Sequence, residues 1–236
     1  MASSSATSTP KTGAPAPPER PVTPDRVMTI PILAGKLGLF REMSPEGRAR
    51  IKCHDGSLTL VSPGRTHESH RQKLSLLIAA ISDVLEIPVK PLGSEFFHLP
   101  KYAEDVGYEP DEGYYIRSLG KATEGQAPDL ALEVVVSHPP DKALRCGAVL
   151  GIGELWVLDV ARRNLTFYIL ATRGKQKGMY QPKAKSRAFP VLTPDDVLGR
   201  LDEPLDDLVG YLKGCRAWVE DVLAPRVRTP NGGGIA

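Results

Sequence analysis

Apolar positions along this chain follow two periods. Over 66–86, Leu74, Leu77, Ile78, Ile81 and Leu85 recur at steps of three and four, which predicts a helix with one apolar stripe lying on a sheet. Over 130–137 the run LALEVVVS is almost continuously apolar and rich in β-branched residues, the signature of a central strand covered on both faces. ELWVLDV at 154–160 reads as a second buried strand, and DKALRCGAVLG at 141–151 has a helical composition, so the order there is strand, short helix, strand. NLTFYIL at 164–170 predicts an antiparallel partner, and PLDDLVGYLKGCRAWVEDVL at 204–223 a closing amphipathic helix.

Turn chemistry fills in the remainder. ARIKCHDGSLTLVS at 49–62 places two strand-like runs around His54, Asp55 and Gly56, a hairpin signal leading into the domain. GSEFFHLP at 93–100 predicts a strand, as does the Tyr-Tyr-Ile run of GYEPDEGYYIRS, where the Pro-Asp turn puts Asp111 at a strand end. The basic stretch 173–187 predicts a loop or edge hairpin. The fold class is therefore α/β, a central mixed sheet flanked by helices. A single domain spans 26–224, between a Ser-, Thr- and Pro-rich disordered tail at 1–25 and a Gly-rich flexible tail at 225–236.

Composition narrows the function classes. With 41% hydrophobic and 25% charged residues in 236, the chain can bury a core and is neither fibrous nor wholly disordered. No apolar run approaches a membrane span and no export signal opens the chain, so the expectation is a cytoplasmic protein. Three widely spaced cysteines give neither a zinc motif nor a disulfide framework. A net charge of +2 does not by itself point to nucleic acid.

One position demands chemistry. A carboxylate in the middle of a buried apolar strand is costly unless compensated, and Glu133 sits there. A divalent metal would compensate it, with Asp111 as the second of two carboxylate ligands suited to Mg²⁺ or Mn²⁺. Such a centre polarises a phosphoryl oxygen and activates water, while a nearby lysine stabilises developing charge; Lys142 is the nearest in sequence.

The segments THESHRQKLSLL, GSEFF, EPDEGYYI, PDLALEVVVS and DKALRCGAVLGIGELWVLD together resemble the Uma-two family, restriction-endonuclease-like proteins of the PD-(D/E)xK superfamily. The resemblance implies a metal-dependent endonuclease acting on DNA, with Asp111 and Glu133 as the two motif acids and metal ligands. The position two beyond Glu133 is Val135 where the motif has lysine. The resemblance implies a migrated lysine in the following helix, where Lys142 lies. It also implies that Glu68, in the opening helix, reaches the metal directly or through water. A homodimer would let two such sites cut both strands.

Plainer readings stand beside these. Asp111 and Asp129 can be turn residues, Glu133 can be satisfied by a buried ion pair with an arginine, and Lys142 can be a solvated helix residue. Glu68 also suits a helix start. His67 and His70 lack further zinc-spaced ligands and read as surface residues, while Glu154 and Asp159 serve strand ends and Trp156 the core. The alternative functions are a non-catalytic DNA-binding or scaffold module that kept the fold, and a dimeric protein with no nucleic-acid role.

Overall fold

A computed structural model describes residues 22–33, 37, 49–98, 106–117 and 126–228. The expected tails lie outside these residues over 1–21 and 229–236. Strands β1 (Arg26–Pro31), β2 (Arg50–His54) and β3 (Ser57–Ser62) lead into helix α1 (Arg65–Val84), followed by β4 (Val89–Gly93), β5 (Gly107–Tyr108), β6 (Glu112–Ile116) and β7 (Leu130–Val135). Helix α2 (Asp141–Leu150) precedes β8 (Glu154–Asp159), β9 (Asn164–Leu170) and β10 (Tyr180–Lys183), and the chain closes with α3 (Pro194–Leu201), α4 (Leu208–Trp218), a π-helical turn (Val219–Leu223) and α5 (Ala224–Arg228).

The strands form two sheets. The larger runs β10-β9-β8-β7-β6-β4 and is mixed, because β7 and β8 are parallel across the α2 crossover while their other neighbours are antiparallel. Around β7 the side chains divide by period two, as pleating requires. Leu130, Leu132 and Val134 join α1, α3 and α4 in one core, whereas Ala131 and Val135 face α2, Tyr108 and Phe97 in another. Glu133 lies between Ala131 and Val135 on this second face, where no solvent reaches it.

The second sheet, β1-β3-β2-β5, is antiparallel. Its hairpin has the two-residue turn expected: Asp55 and Gly56 both take positive φ, at 49° and 65°, and His54 pairs with Ser57. That turn twist matches the twist of the strands it joins. This hairpin is more than an entry to the domain, since β1 and β5 complete a second sheet where a single central one was expected.

Three other expectations change. The strand expected over 93–100 lies earlier, at β4; Gly93 takes a φ of 65° and ends it, and Phe97 pairs instead with Tyr108 in an isolated bridge. Helix α3 was not expected, although its start is written in the sequence: Thr193 Oγ1 accepts from the Asp196 N–H at 3.3 Å and Asp196 Oδ2 accepts from the Thr193 N–H at 2.9 Å, with Pro194 in the first turn. The domain also runs past both expected limits. Asp25 is buried, and α5 extends to Arg228, with Arg226 paired to Asp196 at 2.7 Å. The basic stretch contributes the edge strand β10, as expected. None of the described helices is long and apolar enough to cross a membrane.

Glu154 shows how the fold holds a buried acid without chemistry. Fully buried, it accepts from Trp156 Nε1 at 2.8 Å and from the N–H groups of Arg187 and Ala188 at 3.0 and 2.7 Å, tying the segment before α3 to β8. Replacing it by alanine strands three donors, each worth about 1–3 kcal/mol when buried and unpaired. Urea unfolding of Glu154→Ala is therefore expected to show a loss of at least about 3 kcal/mol.

Candidate active site

The geometry begins with the end of β6. Its ladder to β7 finishes through Asp111, whose N–H donates to the Leu132 carbonyl at 3.1 Å and whose Oδ2 accepts from the Val134 N–H at 2.7 Å. The side chain thus replaces a backbone partner and is locked beside β7, leaving Oδ1 to meet His67 Nε2 at 2.9 Å and Arg50 Nε at 3.7 Å. One residue short of that contact along β7, Glu133 points to the opposite side of the strand from Val134. Its Oε1 is held in a close ion pair by Lys52 Nζ, and its Oε2 accepts from the Tyr108 hydroxyl at 2.8 Å.

Lys52 and Arg50 come from β2, one pleat apart, so both project from the same face of the second sheet toward the acids. The three groups at the centre are almost fully buried: Asp111 is 2% exposed, Glu133 1% and Lys52 3%. His67, in the first turn of α1, and His138, just after β7, complete the cluster on one side, with Asp25 between them. Glu68 forms the rim. Its side chain is 40% exposed, bound to Arg71 Nε at 2.9 Å and 3.8 Å from Arg50, which reaches Asp111 and Glu109 with its other nitrogens.

Four site residues were expected. Asp111 and Glu133 occupy neighbouring strands of one buried cluster. Glu68 is linked to Asp111 through Arg50. Lys142 is not brought to the acids: its Nζ donates to the Ser57 carbonyl, Ser57 Oγ and Thr59 Oγ1 at 3.0, 2.8 and 2.9 Å, fastening α2 to β3. The lysine beside Glu133 is Lys52, on a strand far away in sequence. Only alternation in β2 hints at it, because Arg50 and Lys52 share a face of that strand, and alternation alone reads as a solvated face.

His67 is also corrected. It is buried against two carboxylates rather than at the surface, whereas His70 is partly buried with Nδ1 on the Thr66 carbonyl at 2.8 Å. Asp129 sits just before β7 and ties it to β6, its Oδ2 accepting from the Ile116 N–H at 2.8 Å.

Charge explains how so many ionisable groups share one interior. Burial opposes the charge on Glu133, but Lys52, then His138 and Tyr108, outweigh it and hold the carboxyl below its usual range. Burial opposes charge on Lys52 as well, and the attraction of Glu133 and Asp111 raises its pKa nonetheless. The same contest leaves Asp25 depressed, through His138, His67 and the Gly64 N–H. For His67, burial is overcome by the carboxylates of Asp111 and Asp25 on either side of the ring, which push it up to about 10.

Two carboxylates of hard oxygen donors are the chemistry a small divalent cation takes, and the ring nitrogens of His67 and His138 and Asp25 Oδ2 are buried without hydrogen-bond partners beside them. The donor set fits such an ion in kind. Among the described residues, no three potential ligands already converge on one point. Lys52, Arg50 and His67 instead supply the local positive charge.

A pH dependence of stability follows for the metal-free protein. His67 binds its proton more tightly folded, about 10, than unfolded, about 6.5. Its contribution is complete below about 6.5 and is lost as pH rises toward 10. In EDTA, the unfolding free energy is expected to fall by a few kcal/mol between pH 7 and 10, with a slope approaching about 1.4 kcal/mol for each step of one in pH, and His67→Gln is expected to flatten that slope. Equal slopes in the two proteins would contradict the ionic assignment.

Comparison with known proteins bears on this arrangement. A family described as "Uma2: Putative restriction endonuclease" matches residues 39–205, well over half the chain and all of the cluster except Asp25. No curated protein matches. Among solved structures, a crystal structure described as "a putative nuclease belonging to DUF820" from Anabaena variabilis is similar at 15% sequence identity and a TM-score of 0.43, over 73% of this chain and 96% of that one. With the family matched across β2 to α3, the sequence resemblance holds, and the chain belongs to the Uma2 family of restriction-endonuclease-like proteins.

Proposed function

We propose that this protein is a divalent-metal-dependent endonuclease that hydrolyses phosphodiester bonds in DNA, with Asp111 and Glu133 as metal ligands and Lys52 in the role first expected of Lys142. The observation that carries the reading is the convergence of Asp111, Glu133 and Lys52 from three strands into one buried cluster, in a chain of this family. Mg²⁺ or Mn²⁺ held by the two carboxylates would polarise a phosphoryl oxygen and lower the pKa of a bound water.

The chain's own groups do the rest. Lys52 stays protonated beside Glu133 and offers its ammonium to the charge that develops on the phosphoryl oxygens. Tyr108 fixes the second oxygen of Glu133, and the Val134 N–H fixes one oxygen of Asp111, so neither acid must be ordered when substrate arrives. Arg71 sits at the rim with Glu68, which positions it, and its guanidinium suits a phosphate flanking the scissile bond, while Arg50 lies buried behind them against Asp111. Lys142 keeps α2 seated on the sheet that carries Lys52. A homodimer placing two such sites on opposite strands belongs to the same proposal, and sedimentation at assay concentration tests it.

One observation favours a second reading, a DNA-binding module without catalysis. Lys52 and His67 already answer the acid pair, at a depth where solvent hardly reaches. Under this reading no metal binds, while DNA binding weakens with salt.

Plasmid cleavage with Mg²⁺ or Mn²⁺ separates the two. Asp111→Asn, Glu133→Gln and Lys52→Met are each expected to lower the cleavage rate at least about 100-fold, the scale of losing one charge-stabilising group. Lys142→Ala is expected to stay within about 10-fold, because it loosens α2 on β3 without touching either acid. Because removing one partner of a buried pair costs about 3–5 kcal/mol, the double variant Lys52→Met/Glu133→Gln serves as a stability control. Cleavage that survives Glu133→Gln would end the assignment.

A further inference from the structure

Residues 22–25 lie outside the matched segment 39–205, yet they end in a buried carboxylate of the cluster. Val22, Thr23 and Pro24 are exposed, and the segment is a strap over the start of α1: the Thr23 N–H donates to Thr66 Oγ1 at 2.8 Å, and Ser137 Oγ donates to the Asp25 carbonyl at 3.3 Å. Gly64 accepts the strap because it has no side chain, as a Cβ there would come within 2.8 Å of the Thr23 carbonyl oxygen. Its N–H donates to Asp25 Oδ1 at 3.1 Å.

The Asp25 side chain has no solvent exposure and meets two imidazoles. Oδ1 lies 3.3 Å from His67 Nδ1 and Oδ2 lies 3.6 Å from His138 Nδ1. Each ring turns its other nitrogen to a different acid, His67 Nε2 to Asp111 at 2.9 Å and His138 Nε2 to Glu133 at 3.9 Å. Two chains of carboxylate, imidazole and carboxylate therefore share one end. A carboxylate in ion-pair range behind an imidazole favours one setting of the ring, and losing such an outer partner costs about 10–100-fold in metal affinity or activity. A single carboxylate behind both rings orients both together.

We propose that Asp25 is a positioning residue for the Asp111–Glu133 centre, acting through His67 and His138 together, so that the strap 22–25 is an integral part of the site. This rests on the endonuclease reading for its consequence in metal binding, but not for the coupling of the two rings.

The test uses the full chain and Asp25→Asn, which keeps the shape and removes the charge. The chain has five histidines, so ring ¹⁵N signals resolve each one. The expected result is that the His67 and His138 ring signals shift together while those of His54 and His98 stay, and that calorimetric affinity for Mn²⁺ alone falls about 10–100-fold. Gly64→Ala, which dislodges the strap and leaves Asp25 intact, is expected to move the same two rings. Failure of either ring to respond in Asp25→Asn overturns the proposal. So does global unfolding of both variants, which would make Asp25 only a structural residue. A wild-type chain that binds no Mn²⁺ sinks the endonuclease reading instead, and the paired ring shifts still decide the role of Asp25.

Discussion

Glu133 stands in the middle of a strand buried on both faces, and the interior tolerates it chiefly because Lys52 crosses from another sheet to meet it. An ionised carboxylate left alone there would cost several kcal/mol or take up a proton. The ion pair thereby ties two layers that share no ladder: β2 must lie where its second pleat reaches β7, and the hairpin turn at Asp55 and Gly56 must hold that register. Slipping β2 by one residue would turn Lys52 away and present an apolar side chain to the carboxylate. Fold and site are thus the same constraint, seen once as packing and once as charge.

The surrounding groups extend that logic. Asp111 is fixed by backbone hydrogen bonds because it closes the ladder between β6 and β7, so its position follows from strand pairing. The histidines are fixed by charge. Carboxylates on both sides keep His67 protonated well above the ordinary imidazole range, and the ring in turn helps hold the Asp25 carboxyl below its usual range in an interior that would otherwise discourage its charge. Such a network is rigid while every member is present, and the loss of one charge is felt by all.

Different parts of this arrangement are written in the sequence with different clarity. The stripe of Leu74, Leu77, Ile78 and Ile81 and the continuous run of β7 announce α1 and the central strand directly, because period and burial are local properties of a segment. The acids Asp111 and Glu133 are marked by one physical anomaly and one motif. Lys52 carries no such mark, since a lysine alternating with Ile51 and Cys53 looks like the wet side of a hairpin, and only a second sheet packed against β7 makes that side dry. Lys142 is favoured by its nearness in sequence, yet it faces Ser57 and Thr59. Asp25 is hidden in a Pro- and Thr-rich stretch whose composition signals no core.

By itself, then, the sequence determined the α/β class, the order of the main elements and the family, and it singled out Asp111 and Glu133 as candidates, all from residues close together along the chain. Tertiary structure decided which cation answers Glu133, that His67 and His138 turn inward, and that Asp25 stands behind both. Those partners are 81 residues apart for Lys52 and Glu133, and no local pattern encodes which strand faces which. Their meeting is set by how two sheets pack, and the charge balance of the centre exists only once they do.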